Sequence, residues 1–287
     1  MLVEQGYEVR LLLHGSSEED MQLSRMCVAG GATLVSDPAS PTAVKRAMHG
    51  VSVLVLDLPF TIIGFNNVSD HDAAVHLAQQ LVGAATASSP PSVSKIVAVS
   101  TALGLLDDYE FPFVLAKRHV EALVEQSGID YTIFRPVFRM DDLRRFFDKE
   151  LSEGFLFLPL HPKRPLMMVS EWDISRATCT VILSPDRPEF SNAVLPLAAD
   201  EQTPIGLLAS YNRLRKSEIA YVEIAFQTFS SVSIDLLCLV KFIKDREFDC
   251  TVRESKETFP ELVSFTPWLE AAIAENERRK ALGLPEL

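Results

Sequence analysis

The sequence lacks most of the features that announce a function. No apolar run approaches the roughly 18 residues that a membrane-spanning helix needs. The opening Met1-Leu-Val-Glu-Gln-Gly6 has neither the basic flank nor the apolar stretch of a signal peptide. Cysteine is scarce: Cys27, Cys179, Cys238 and Cys250 stand apart with no CxxC pair. That spacing signals neither a zinc ribbon nor a redox dithiol, and it suits a reducing compartment. Positive charge is short, with 27 Lys and Arg against 39 Asp and Glu for a net charge of −12. Nonspecific nucleic-acid binding wants a basic face, so that class is disfavoured, and the mixed acidic excess is read as a solubility feature. The 12 glycines include a single adjacent pair, Gly30-Gly31, and form neither G-x-G-x-x-G nor a Walker pattern. No G-x-S-x-G elbow exists either. A soluble cytoplasmic protein with no membrane and no nucleic-acid partner is the expectation.

What the chain does have is a regular alternation of strand and helix signals. Met1 to Gln5 reads as the last turn of a helix closed by Gly6, followed by a strand over 7–13 that ends at His14-Gly15-Ser16. A helix over 18–28 is stopped by Ala29-Gly30-Gly31, and a short strand over 32–36 runs into Asp37-Pro38. Pro41 sits well at the first turn of a helix over 40–48. Val51 to Leu56 is a buried strand by length and β-branching, and a long helix is expected over 70–87. The stretch from Lys95 to Phe138 organises the whole. Lys95-Ile-Val-Ala-Val-Ser-Thr101 and Tyr131-Thr-Ile-Phe-Arg-Pro136 are strands flanking one amphipathic helix, a strand–helix–strand unit. The alternation predicts an α/β fold, a Rossmann-like doubly wound parallel sheet spanning 1–138.

After Phe138 the rhythm loosens. Residues 139–151 read as a mixed helix, 154–159 and 165–169 as short apolar strands, and Ser170-Glu-Trp-Asp173 as a capping box opening a helix to Leu183. A strand over 192–197, a helix capped by Thr203, a strand over 219–224, and helices over 234–244 and from Pro267 onward complete the chain. Residues 139–287 are read as a small α+β C-terminal lobe capping the first half.

Few side chains rise above ordinary structural roles. Lys117 follows Phe113 by four and precedes Val120 by three, so it shares the apolar face of its helix, whereas Arg118, Glu121 and Glu125 are expected to point elsewhere. An inward lysine snorkels to water or meets a partner, and spacing leaves both open. Ser100-Thr101 ends a buried strand, where open α/β sheets place ligand contacts, or is a plain strand-end cap. Arg135 is expected to pair with a carboxylate, and Asp173 to complement a helix dipole. His71 and His76 are five apart, on different helix faces, where a helical zinc pair needs four, so no metal is expected.

Taken in order, Asp37, Leu58-Pro59, Lys95-Ile-Val-Ala-Val-Ser-Thr101, Phe113-x-x-x-Lys117, Tyr131-Thr-Ile-Phe-Arg-Pro136 and Met168-Val-Ser-Glu-Trp-Asp-Ile-Ser-Arg-Ala177 resemble the NmrA-like proteins. These are atypical short-chain dehydrogenase/reductase relatives close to the isoflavone-reductase-like branch, and the resemblance runs to about Leu269. It implies an NAD(P)-binding Rossmann domain with a small substrate lobe. By position, His14, Gly15 and Ser16 would face the adenosine ribose and Asp37-Pro38 the adenine. Leu58, Pro59 and Lys117 would lie along the nicotinamide half, with Lys117 as the catalytic group, and Ser100 would be a further cofactor contact. The implied cofactor is NAD(P), NADP by preference, although His14-Gly15-Ser16 stand where a basic residue for the 2′-phosphate is usual. Two further departures matter. The chain begins where the family's first helix is ending, so the first strand and its glycine-rich turn are missing and a gap is expected in the sheet. Phe113 holds the place of the tyrosine in the Tyr-x-x-x-Lys pair, and a phenyl ring cannot donate a proton.

The resemblance implies an NAD(P)H-dependent oxidoreductase of a small apolar substrate, with Phe60, Phe65, Phe138, Phe146 and Phe147 supplying the pocket. Two alternatives stay open: a non-enzymatic NAD(P)-sensing regulator that binds a protein partner, and a truncated relative that binds no dinucleotide.

Overall fold

The computed structural model describes residues 1–12, 25–35, 40–58, 68–87, 92–105, 112–142, 154–225, 241–244 and 246–281. Its centre is a four-stranded parallel sheet of β3 (Val53–Leu56), β4 (Lys95–Val99), β5 (Asp130–Pro136) and β9 (Ala193–Leu197), in the order β3-β4-β5-β9. Register follows from the pairs Val53↔Lys95, Lys95↔Asp130 and Thr132↔Ala193. β4 is apolar along its length because both faces are covered. Its side chains alternate between two cores: Val97 and Val99 join Phe134 in one, and Ile96 and Ala98 join Ile133 in the other. The second core is covered by helices Pro41–Met48, Val68–Thr86 and Pro112–Glu125, which contribute Val44, Ala78 and Val124. The first core is covered by helix Glu171–Leu183 through Ile174, Ala177 and Val181.

β1 (Arg10–Leu12) and β2 (Thr33–Val35) pair in parallel with each other in a separate two-stranded sheet. Among the described residues no ladder joins this pair to the central sheet. Leu12 packs on the second core, and Arg10 Nη1 donates to the carbonyls of Ala47 and His49, at 3.0 and 2.6 Å, at the end of helix Pro41–Met48. Among the residues of 1–34 whose burial is described, none is buried. Gly6 at φ +85° closes the short 3-10 turn Val3–Gln5 as the sequence predicts, and Gly31 at φ +95° follows the helical stretch ending at 29. Both are left-handed positions that favour glycine.

The later chain makes two smaller sheets. β6 (Phe138–Arg139) pairs in parallel with β8 (Leu166–Val169), which pairs antiparallel with β10 (Asp200–Gln202). β7 (Phe155–Leu158) pairs in parallel with β11 (Ala220–Glu223). The caps at Ser170 and Thr203 are where the sequence places them, and Ser40 proves to be a third. Ser40, Ser170 and Thr203 each accept a hydrogen bond from the backbone N–H three residues on. Two local readings change. Arg139 is in strand β6 rather than a helix, because Phe138 and Arg139 pair with Met168 and Val169. A helix unforeseen in the sequence, Val252–Thr258, opens on a full capping box between Thr251 and Glu254.

Asp173 does more than complement a dipole. It is fully buried, its Oδ2 accepts from Ser170 Oγ at 2.8 Å and from the Val263 N–H at 3.2 Å, and its Oδ1 has no partner among the described residues. Burial pushes its carboxyl above the usual range despite those two donors. The carboxylate thereby fastens the segment before helix Phe265–Ala281 to the start of helix Glu171–Leu183. Asp173→Ala is expected to cost about 2–3 kcal/mol by urea unfolding, since it strands the Val263 N–H. Asp173→Asn should cost clearly less. Equal losses for the two variants would contradict this role.

Candidate functional site at the carboxyl ends of the strands

Helix Pro112–Glu125 begins at a proline and carries Phe113, Val114, Ala116, Lys117, Val120, Glu121 and Val124 inward. Lys117 is 2% exposed, so it does not snorkel. Its Nζ donates to the carbonyl of Val99, the last residue of β4, at 2.8 Å. Burial drives its pKa down to about 7, opposed by the negative charges of Asp57 and Glu121 and assisted by the positive charge of Arg139. A lysine tuned to that value gives up and regains a proton at neutral pH.

Ser100 follows Val99 directly. It is buried, its N–H donates to the Phe134 carbonyl at 2.7 Å, and its Oγ has no hydrogen-bond partner among the described residues. A buried hydroxyl without a partner is uncommon and calls for an account, and a ligand atom supplies one. Thr101 Oγ1 accepts from the Leu103 N–H at 3.3 Å, an ordinary strand-end turn.

Of the residues singled out in the sequence, the fold therefore brings Ser100 and Lys117 to one strand end. Leu58 is buried in the second core and Phe138 in the first. His14, Gly15, Ser16, Asp37, Pro38, Pro59, Phe60, Phe65, Phe146 and Phe147 lie outside the described residues. His71 is buried edge-on to Phe113, with ring centroids 6.2 Å apart, while the exposed His76 meets Gln80 at 2.9 Å. Among the described residues no group of three or more His, Cys, Asp or Glu is placed to hold a metal ion, and no helix is long and apolar enough to cross a membrane.

One expectation is corrected. Glu121 does not point outward: it is 5% exposed and takes a bidentate pair from Arg135, at 3.0 and 2.7 Å. Lying four residues after Lys117, it shares the lysine's face, and the arginine of β5 makes its burial tolerable.

Sequence reasoning passed over two charged neighbours of Lys117. Asp57 follows β3 directly, and Arg139 ends β6. Burial works against the charge of Arg139, and Asp57, then Glu171 and Asp142, more than offset it, so its pKa is raised. The available signal was a charged residue closing an apolar strand run, in Val53-Leu-Val-Leu-Asp57 and again in Val137-Phe-Arg139.

A split parallel α/β layer with polar side chains gathered at the carboxyl ends of its strands defines a Rossmann-like protein. The model of the NmrA-like family matches residues 1–275, and the chain belongs to that family. No curated protein matches the sequence. Solved structures do match the fold. NmrA, a negative transcriptional regulator in complex with NADP, superposes with a TM-score of 0.69 at 13% identity, covering 93% of this chain and 88% of that one. The NADPH-dependent quinone oxidoreductase of Escherichia coli, complexed with NADPH, gives 0.68 at 16% identity, covering 92% and 90%. The triphenylmethane reductase of Citrobacter sp., complexed with NADP(H), gives 0.68 at 14% identity, covering 91% and 90%.

Proposed function

We infer that the protein is an NAD(P)H-dependent oxidoreductase of a small, largely apolar substrate. The observation that carries this reading is Lys117, buried at a strand end and tuned to about 7, beside a Ser100 hydroxyl that has no partner among the described residues. Family membership and the NADP(H)-bound neighbours support the same class. The residues at hand fit the nicotinamide half of a dinucleotide: Ser100 offers an unused hydroxyl and Lys117 an ammonium at the sheet's carboxyl edge. In this reading residues 1–138 carry the dinucleotide and 139–287 cap the substrate.

The reduced nicotinamide supplies a hydride when bound. The chain's own part is the proton. Phe113 has none to give, so the Lys117 ammonium is the donor, held by the Val99 carbonyl and recharged from solvent. NADP is the favoured form of the cofactor.

Calorimetric titration of the protein with NADPH and NADH, followed by acceptor-dependent oxidation of the bound form, tests the reading. Micromolar binding with turnover is expected. Binding without turnover over a broad acceptor panel would point to a redox-sensing regulator with a protein partner. Binding of neither cofactor would remove the dinucleotide reading.

A further inference from the structure

Charge is spread unevenly along this chain. Ala73 to Ser94 holds 22 successive residues without Asp, Glu, Lys or Arg, in a sequence of which 23% is charged. No other uncharged run exceeds 12 residues, the length of Leu58 to Ser69. Such a run suits a buried element, yet most of it is helix Val68–Thr86, whose outer ridge is in water. His76, Gln79, Gly83 and Thr86, at spacings of three and four, are all exposed. The ridge passes to helix Pro112–Glu125 through Gln79, whose Nε2 meets the His119 Nε2 at 3.5 Å. Leu115, 45% exposed, and the half-buried Ala122 lie one turn to either side of His119. Arg118 and Glu125 fall on one flank of that second ridge by the helical period, and Asp72 marks where the first one starts.

Gly83 has no reason within its own chain. An added Cβ there would meet nothing within 4 Å, and its φ is outside the left-handed region. Neither packing nor backbone conformation asks for glycine, which is among the poorest residues inside a helix. Close approach of a second backbone from outside accounts for it.

The absence of charge fits one occupant. A foreign partner can answer charge of either sign with its opposite. A face that meets its own copy across a two-fold axis sets like against like, so charge near the axis is repulsive. The constraint is severe here, because two copies of a chain of net charge −12 repel over the rest of their surfaces. The extent is adequate too. Helix Val68–Thr86 is about 28 Å long and the pair about 20 Å wide. With the relief of its side chains, that face is on the scale of the roughly 800 Å² that a standard interface buries per partner. We propose that the outer faces of helices Val68–Thr86 and Pro112–Glu125 form the interface of a homodimer, with Gly83 at the point of close approach. This stands apart from the oxidoreductase reading, since Lys117 points inward from the same helix that turns Leu115 and His119 outward.

Sedimentation velocity of the full chain, without cofactor, is the test. Wild type should run as a dimer of the 31.9 kDa chain at about 10 µM, an ordinary affinity for an interface of this size. The dimer should persist or tighten as salt is raised, because no ion pair holds it and screening weakens the repulsion between copies. Gly83→Arg should weaken association at least about 100-fold, since it sets two like charges at the closest approach. The open space around Gly83 leaves the monomer fold intact, which circular dichroism and thermal unfolding check. His119→Glu should weaken association comparably from the second helix. Ala209→Arg, exposed on helix Pro204–Arg215, adds the same charge elsewhere and should leave the dimer unchanged. A monomeric wild type at about 100 µM overturns the proposal. So does a dimer indifferent to His119→Glu, an equal loss with Ala209→Arg, or dissociation on adding salt.

Discussion

Lys117→Met is expected to lower acceptor-dependent NADPH oxidation by at least about 100-fold, the usual contribution of a positioned proton donor, while leaving the folded protein no less stable at pH 6. Methionine keeps most of the length and the apolar contacts of the stem and removes the charge. The stability half of the prediction follows from linkage. The folded pKa of Lys117 is about 7 against an ordinary 10.5. Below pH 7 the lysine is charged in both states, and the full cost of burying that charge falls on the native one. Between 7 and 10.5 the unfolded chain binds a proton that the native chain does not, so wild-type stability rises with pH across that window. Above it both forms are neutral and the cost is gone. The advantage of Lys117→Met should therefore be largest at pH 6, on the order of a few kcal/mol less the lost bond to Val99, and should shrink steadily toward pH 10. Urea unfolding of both proteins across that range measures it. In the wild-type enzyme the same group makes kcat/KM fall as pH rises through about 7, since the charged form is the donor. Full activity in the methionine variant would remove the lysine from the mechanism. A stability difference that does not vary with pH would show that the buried charge is not at position 117.

Phe259→Ala is expected to be the most damaging change away from the site, at about 3–5 kcal/mol. The residue follows helix Val252–Thr258, which the sequence did not announce, and its ring is 1% exposed. It stacks on Phe190 at 5.7 Å with planes 6° apart and meets Phe134 of β5 edge-on, also at 5.7 Å. Phe190 has further ties, two of them to the same sheet. Its carbonyl accepts from Lys95 Nζ and Thr132 Oγ1, each at 2.5 Å, and the Arg187 guanidinium lies 4.4 Å from its ring centroid. Truncating Phe259 opens a cavity among groups that cannot collapse, because the backbone of β5 is held on both sides by β4 and β9. Thermal and urea unfolding should show one cooperative transition displaced downward, and Phe259→Leu should recover part of the loss. A cost under about 1 kcal/mol would mean that the site repacks, contrary to this account.

Where an element depends on its own residues, the sequence was enough. The caps at Ser170 and Thr203, the helix start at Pro41, and the glycines that close helical turns are all short-range facts. Periodicity and capping express preferences of the local backbone, so they read directly from composition and spacing. The Thr251–Glu254 capping box was equally legible and was passed over, because it opens a helix of only seven residues. Lys117 was legible as an inward residue but not as a fully buried one. Spacing assigns a face, and only the packing of a second layer fixes depth.

Charge partners were a different matter. The outward reading of Glu121 failed because a buried carboxylate is tolerable only beside its cation, and that cation, Arg135, arrives from another strand. Asp57 and Arg139 are likewise unremarkable in sequence, 60 and 22 residues from Lys117. They act on the lysine only because a parallel sheet delivers the carboxyl ends of β3 and β4 to one edge, and β6 follows β5 there. The family, the alternation of strands and helices and the inward lysine thus follow from the residues taken in order. The pKa of that lysine and the burial of Ser100 and Glu121 exist only in the folded chain, because burial and electrostatic fields depend on groups far apart in sequence and close in space.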